Sequence, residues 1–501
     1  MVVENRESRR LPQRDRFMSA TAKKTLRNTA LLISFEVANP LISLLLVGTM
    51  TRRIGAEGTG AYNLLLNFFF VAHSFTSLGL NSLVTREVSR NRDAALRFLS
   101  SSICMGLIAS LVMAVSVVVV VNLAGYSPEV GRGGWLVAMS LLPSIVILYS
   151  ESIFIAFEKV QYIVILTLVE NVGKVGMGLW LLHHGYGVLA LICSFALFRF
   201  LNLLLNLATF HFQVVPLRWE YDAGVLRELG KNVPVFGTIF VVAALYWRAD
   251  VFMLSKLGTL AAVGYYTVGY RLFAISQVVP KSFNTSIYPV FSRLFHESPE
   301  SFRKASSLSI RYILVVLLPM AAGIYGLADP LVALLFGPQF AAAASVLKVV
   351  IWTLVPYGIA RVLASGLFAS DRQEIDLKVN VMGLATNIAL NVALIPRFGI
   401  VGCAWATLGS MFCFLSYQCY FLRREIVPVL LQAEVLRPGL VAIAILGWLH
   451  LTAELSLGVR IPVGIAIYVV LVLVLQVVRL EELRAVMPDR LTILLPEEGK
   501  Q

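Results

Sequence analysis

GAEGTGAYNLLLNFFFVAHSFTSLGLNSLVTREVSR, residues 55–90, and GTLAAVGYYTVGYRLFAISQVVPKSFNTSIYPVFSR, residues 258–293, read as two copies of one pattern. At an offset of 203 residues Gly55 matches Gly258, Tyr62 matches Tyr265 and Phe70 matches Phe273. At the same offset Asn81 matches Asn284, Ser89 matches Ser292 and Arg90 matches Arg293. A second echo pairs Gly-Tyr-Gly-Val at 185–188 with Arg-Phe-Gly-Ile at 397–400.

Outward from these stretches the chain is a series of apolar runs. They fall near 28–49, 60–80, 98–123, 133–156, 162–182, 186–210, 233–256, 261–284, 310–335, 340–368, 377–396, 400–422, 437–454 and 460–478. A membrane-spanning helix needs about 20 mostly apolar residues, so the pattern predicts an all-α polytopic membrane protein with about fourteen spans. Six runs separate the two copies, which gives both the same orientation. That implies two parallel six-helix halves related by an axis along the membrane normal. The expected organisation is a basic arm over 1–27, a bundle over 28–210, a linker over 211–232, a second bundle over 233–422, an appended helix pair over 437–478 and a tail over 479–501.

Composition agrees. Of 501 residues 58% are hydrophobic and 14% charged, and the mean hydropathy is +0.79. Soluble domains are nearer 45–50% apolar and about 25% charged. A net charge of +13 and a pI near 9.6 would fit a nucleic-acid binder, but the placement of the charges argues for membrane topology. With the N-terminus inside, 29 of the 42 Lys and Arg fall in inside segments and six in outside ones, Arg52, Arg53, Arg132, Lys256, Arg397 and Arg460. The positive-inside bias predicts N-in, C-in. Connections are too short for a soluble catalytic domain. The five cysteines lie in apolar stretches with no ligand spacing, so neither a disulfide nor a metal is expected. No Gly-x-x-x-x-Gly-Lys-[Ser/Thr] loop and no His-Glu-x-x-His occurs, which argues against ATP hydrolysis within the chain and against a zinc protease.

Ionisable groups at membrane depth are costly and mark function by default. The basic set is Lys174, Arg199, Arg248, Arg271, Lys281, Lys348 and Arg361, and the acidic set Glu36, Glu151, Glu170 and Asp250. The positive surplus favours an anionic head group, and guanidinium suits diphosphate because it donates bidentate, charge-assisted hydrogen bonds. Arg248 and Arg271 come at similar depth on adjacent runs, about 12–15 Å below the outer ends at 1.5 Å per residue. Structural readings stand beside these. Glu170 and Lys174, at i and i+4, pair as a structural unit. Lys348 and Arg361 snorkel from helix ends. Tyr265 and Tyr266 read as interfacial, whereas Tyr270 lies next to Arg271. Glu36 and Asp250 are the candidates for a coupling proton or Na⁺. Pro40, Pro143, Pro280, Pro319 and Pro356 predict kinks.

Several motifs carry a family likeness: Arg248-Ala-Asp250, Leu254-Ser-Lys-Leu-Gly258, Val263-Gly-Tyr-Tyr-Thr-Val-Gly-Tyr-Arg271-Leu-Phe, Tyr288-Pro-Val-Phe-Ser-Arg293, Leu335-Phe-Gly-Pro-Gln-Phe340 and Ile395-Pro-Arg-Phe-Gly-Ile-Val-Gly-Cys-Ala-Trp-Ala-Thr407. Over roughly 25–425 the chain resembles the polysaccharide or O-antigen (Wzx-type) flippases of the multidrug/oligosaccharidyl-lipid/polysaccharide exporter superfamily. The resemblance implies two bundles around a central cavity, alternating access, a polyprenyl-diphosphate-linked oligosaccharide as cargo, and polysaccharide assembly proteins as partners. It also implies a bacterial inner (plasma) membrane location. The expected substrate-binding residues are Arg248, Arg271, Arg199, Lys174, Asp250, Tyr270 and Arg361. No enzymatic activity and no cofactor are expected. A flippase for the peptidoglycan precursor is the nearest rival. A multidrug/cation antiporter fits less well, since a cationic drug needs an acidic cavity.

Overall fold

The structure, a computed structural model, describes residues 13–370, 372–422, 433–452 and 454–474. The first part of the N-terminal arm, the tail over 479–501 and the side chain of Glu36 lie outside the described residues.

Helices carry the described chain from end to end. They are α1 (Gln13–Thr76), α2 (Asn81–Arg90), α3 (Ala95–Leu123), α4 (Pro128–Met139), α5 (Leu141–Ala156), α6 (Val160–His183), α7 (Val188–Gln213), α8 (Ala223–Leu257), α9 (Leu260–Ser276), α10 (Val278–Glu297), α11 (Pro299–Gly326), α12 (Ala328–Phe336), α13 (Ala341–Val350), α14 (Leu354–Ala369), α15 (Gln373–Phe421), α16 (Ala433–Leu451) and α17 (Leu457–Val474). The protein is a polytopic membrane protein. Among the described residues eight helical segments are long and apolar enough to cross a bilayer, or nine if the bent α1–α2 pair counts as one span. The apolar runs fall on these helices. α1 carries the first two runs and α15 the eleventh and twelfth, each broken at one glycine in the left-handed region, Gly55 (φ 67°) and Gly399 (φ 57°). Only glycine adopts that conformation without a Cβ penalty, so each helix breaks at a single residue where a loop would be expected, and in α15 the two arms fold back on each other, Asn387 donating to Ser410 at 3.2 Å.

The prolines behave differently from the expectation of kinks. Pro143, Pro280 and Pro356 each sit in the first turn of a separate helix, α5, α10 and α14. A first-turn residue has no intrahelical acceptor for its N–H, so a residue without one fits there. The apolar runs are therefore divided at these points. Pro40 and Pro319 do lie inside helices.

The outward faces are apolar. On α3, Ile108, Leu111, Val112 and Val115 are exposed, as a lipid-facing helix requires when all backbone groups are satisfied internally. One extended core joins α1 to α8, α9 and α13–α15. A second lies within the N-terminal half around α2, α3 and α5. A third holds α16 and α17 against α11, where Arg460 Nη2 reaches the Leu449 carbonyl at 2.7 Å.

The two copies of the sequence pattern cross each other at one end of the molecule. A Cβ on Gly60 would lie 1.7 Å from the Leu260 carbonyl oxygen, and one on Gly264 would lie 2.1 Å from the Ala56 oxygen. The contact is reciprocal and backbone to backbone, the close approach that small residues permit between membrane helices. The same end is tied by Arg52 Nη2 to the Leu334 carbonyl (2.7 Å), by Thr51 Oγ1 to the Phe336 carbonyl (2.9 Å) and by Tyr126 to Ser255 (2.7 Å). Lys348 pairs with Asp329 at 2.7 Å, so it is an ion-paired residue and does not snorkel freely.

Candidate functional site

Beyond the sealed end the halves part around a cavity of about 760 Å³. Its wall from α1 is the stripe Asn63, Asn67, Phe70, His73 and Ser74. Asn63 and Asn67 each donate their amide nitrogen to the backbone carbonyl one turn earlier, at 2.9 and 2.7 Å. α9 can approach because Gly269 packs where a Cβ would meet the Ala343 oxygen at 2.6 Å. Its start is capped by Thr259, which accepts from the Ala262 amide at 3.1 Å. α8, α9, α10 and α14 supply the opposite wall, with Arg248, Asp250, Tyr270, Arg271, Lys281 and Arg361.

Five of the seven substrate-binding candidates, Arg248, Asp250, Tyr270, Arg271 and Arg361, therefore line one space. Arg248 Nη1 donates to Asn67 Oδ1 at 3.0 Å, and its guanidinium lies 4.5 Å from the Phe70 ring centroid. Arg271 has a buried Nε with no hydrogen-bond partner and makes no ion pair among the described residues. Arg361 also buries an unpartnered Nε. With the Asn284 amide turned to satisfy its surroundings, Arg361 donates Nη2 to it at 3.2 Å. Tyr270 packs edge-on against Phe273, 5.0 Å between centroids.

Asp250 is the carboxylate among these lining residues, and four donors converge on it. Asn387 and Asn391 donate to Oδ1 at 2.9 and 2.7 Å, and Tyr266 and Thr407 donate to Oδ2, both at 2.8 Å. Tyr266 is thus a buried ligand of Asp250, not the interfacial residue its position predicted. Its hydroxyl finds a partner only in the interior, which overrides the preference of tyrosine for the membrane surface. Beside this cage lies a void of about 10 Å³ bordered by Asp250, Asn387 and Thr353, about one water molecule in size. The Asn391 Oδ1 and Thr353 Oγ1 atoms are buried without partners.

Lys174 and Arg199 do not line the cavity. Arg199 Nη1 pairs with Glu170 Oε2 at 3.0 Å, and Asn202 donates to the same oxygen. Glu170 therefore binds across to α7 in place of the expected partner at i+4. Lys174 lies over the Phe195 ring at 5.9 Å. Asn67, Asn387, Asn391 and Thr407 carry no formal charge, so charge at membrane depth does not reveal them. The i, i+4 spacing of Asn63–Asn67 and of Asn387–Asn391 inside apolar runs was the available signal. No group of three or more His, Cys, Asp or Glu that could hold a metal occurs among the described residues.

Chemically, the cavity presents four basic side chains and one carboxylate whose lone pairs are already satisfied, flanked by Trp247, Tyr270 and Tyr357. Such a surface accepts an anion with an attached polar ring.

Known proteins agree in fold. A probable low-salt glycan biosynthesis flippase, Agl15, of Haloferax volcanii is 24% identical over 368 residues, covering 71% of this chain and 74% of its own. The lipid II flippase MurJ in an inward closed conformation superposes with TM-score 0.74 at 15% identity, over 88% of this chain and 97% of that one. An inward-facing multidrug resistance MATE transporter of the MOP superfamily superposes with TM-score 0.64 at 14% identity, over 78% of this chain and 98% of that one. Residues 234–393 match the MatE family. Residues 25–295, more than half of the chain, match the polysaccharide biosynthesis protein family, and the chain belongs to it.

Proposed function

We propose that this protein flips a polyprenyl-diphosphate-linked oligosaccharide from the inner to the outer leaflet by alternating access. The observation that carries the reading is Arg271, an unpaired guanidinium facing a shared cavity with Arg248 and Arg361 while the nearby carboxylate is quenched by four donors. An unpaired cation at membrane depth is costly, and a diphosphate would offset that cost with charge-assisted bonds. The volume lies within the about 300–1,000 Å³ of ordinary ligand sites. It holds the diphosphate and the first sugars, and the lipid tail stays in the bilayer. Trp247, Tyr270 and Tyr357 offer ring faces to the sugars. The naming of the Haloferax relative as a glycan biosynthesis flippase supports the same cargo class.

The N-in, C-in orientation, which the positive-inside bias supports, puts the Gly60–Gly264 seal on the outer side, and in this reading the carrier is shut to the exterior. The two halves rock about the cavity. The inside-negative potential favours outward movement of the anion by about 2.3 kcal/mol per charge per 100 mV. The Asp250 cage is the seat of a coupling monovalent cation, held by the carboxylate, the Thr407 hydroxyl and the amide oxygens of Asn387 and Asn391 after rotation. The reading needs an energised cell membrane such as a bacterial inner membrane; the named relative is archaeal. The MurJ likeness, at 15% identity, speaks for the fold and not for peptidoglycan precursor as cargo.

The test is transport of a fluorescent polyprenyl-diphosphate sugar in proteoliposomes. Arg271→Ala should lower the rate about 10- to 100-fold, the value of one hydrogen-bonded charge, with the folded fraction unchanged. Asp250→Asn should abolish stimulation by Na⁺ or by a proton gradient. Wild-type transport in Arg271→Ala and Arg248→Ala would refute the cavity as the cargo site.

A further inference from the structure

Arg248 is held across the boundary between the two halves. It rises from α8 in the C-terminal half, yet its partners stand on α1 in the N-terminal half, Asn67 at 3.0 Å and the Phe70 ring at 4.5 Å. The Asn67 amide is set for this contact. Its nitrogen is spent on the Asn63 carbonyl at 2.7 Å, so the oxygen is left to accept. Asn67 is 5% exposed, which fixes its rotamer. The bonds of Thr51, Arg52 and Tyr126, with those of Lys256 to the Ala124 carbonyl and of Gln339 to the Thr51 carbonyl, join the halves at the sealed end. Both partners of the Arg248–Asn67 bond line the cavity, so this contact joins the halves at the site itself.

Both partners of Arg248 are neutral. An amide oxygen offers one acceptor and a ring face offers a quadrupole. A diphosphate offers several anionic oxygens in bidentate geometry, and such bonds are about twice as strong as neutral ones. Arg271 stands among the electrostatic neighbours of Arg248, so an anion drawn to Arg271 arrives beside the guanidinium that bridges the halves.

We propose that the Arg248–Asn67–Phe70 contact is a cargo-sensing latch. While the cavity is empty it joins the halves and holds the outer end shut. Diphosphate takes Arg248 away from Asn67 and frees the N-terminal half to move. Asn67 and Phe70 are positioning residues in this scheme, since they act through Arg248. The latch makes movement of the halves conditional on cargo, so the empty carrier does not run the coupling gradient down. The inference rests on the flippase reading for its trigger and on the Arg248–Asn67–Phe70 geometry for its lock.

The experiment uses the full chain in lipid nanodiscs, in a background lacking the native cysteines. Spin labels are placed at Glu57 and Leu257, two exposed positions at the sealed end. Pulsed electron paramagnetic resonance then reads the distance between the halves with and without farnesyl diphosphate as the probe. In the wild type the probe should raise the long-distance fraction. Asn67→Leu keeps the size and removes the acceptor. It should raise the probe-free long-distance fraction about tenfold, the worth of one hydrogen bond to a charge, and make the probe nearly without further effect. Phe70→Leu should act in the same direction and guards against a folding defect peculiar to one variant. If both variants keep the wild-type distribution without probe and respond to it as the wild type does, the latch is overturned. Calorimetry of farnesyl diphosphate on the wild type separates the two ideas. Binding with unshifted distances sinks the latch alone, whereas no binding at all sinks the diphosphate cargo.

Discussion

Replacing Gly60 with Ala puts a methyl group where the structure has no room for one. The added carbon would fall 1.7 Å from the Leu260 carbonyl oxygen and must retreat by about as much again to reach ordinary contact near 3.4 Å. The obstacle is backbone, so no rotamer change relieves it, and α1 and α9 have to move apart at their crossing. Overpacking of this kind costs about 1–3 kcal/mol. The cost applies only in the state where the two helices touch. The equilibrium toward the outward-open state should therefore shift by about 5- to 150-fold, at 1.4 kcal/mol per factor of ten. Thr59, fully buried beside the crossing, supplies the reporter. In a Thr59→Cys protein lacking native cysteines, a membrane-impermeant maleimide applied from outside should react faster by that factor when Gly60→Ala is added. Gly264→Ala should do the same, since its Cβ would meet the Ala56 oxygen at 2.1 Å. Gly176, with nothing within 4 Å of an added Cβ, is the control and should leave the rate unchanged. Equal labelling in the Gly60, Gly264 and Gly176 variants would show that the crossing is not the seal.

Two further outcomes follow from charges away from the cavity. Glu170→Gln leaves Arg199 buried opposite a neutral amide, and breaking a buried pair costs about 3–5 kcal/mol; a lowered Tm with the cargo affinity of the surviving folded protein intact is expected, and a selective loss of affinity would return Arg199 to the cargo site. Asp222 accepts from the Val225 and Gly224 amides at the start of α8 and faces Arg97, and these hold its pKa below the ordinary carboxylate value. The stabilisation is present above the unfolded-state pKa and lost as pH falls through the depressed folded value. Hydrogen exchange over 223–230 should accelerate there relative to Asp222→Asn, whose amide caps without titrating; identical profiles would show that Asp222 does not hold this turn.

Hydropathy made most of the fold legible, because a bilayer penalises every departure from an apolar helix. It could not distinguish a loop from a one-residue reversal. Gly55 and Gly399 break the helix at one residue each, and a dihedral angle leaves no trace in an apolar count. Nor could it separate a kink from a break. Pro143 and Pro319 look alike in sequence, yet Pro143 opens a helix and Pro319 continues one. At the site, depth along the helix brought Arg248 and Arg271 together, but depth says nothing of azimuth. Arg199 passed the same test and faces Glu170. Asp250 was visible as a charge, whereas its cage was not, because Asn387, Asn391 and Thr407 carry none and come from α15, far along the chain.

The placement of charge between the halves has a mechanical consequence. Every formally charged side chain on the cavity wall, Arg248, Asp250, Arg271, Lys281 and Arg361, belongs to the C-terminal half, and α1 contributes amides, a hydroxyl, an imidazole and a phenyl ring. In the N-terminal half Glu170 pairs with Arg199, away from the cavity lining. A carrier that gripped an anion with cations from both halves would be cross-linked by its cargo, since each charge-assisted bond would have to break as the halves part. With the cations on one half, the phosphate travels with that half. The other half meets the cargo only through neutral contacts, which exchange readily with water. Transferring one cation to α1 tests this division. Asn63→Arg would add a second charged grip from the opposite wall. It should tighten prenyl-diphosphate binding while slowing transport, and an increase in both would show that release from the N-terminal half does not limit the cycle.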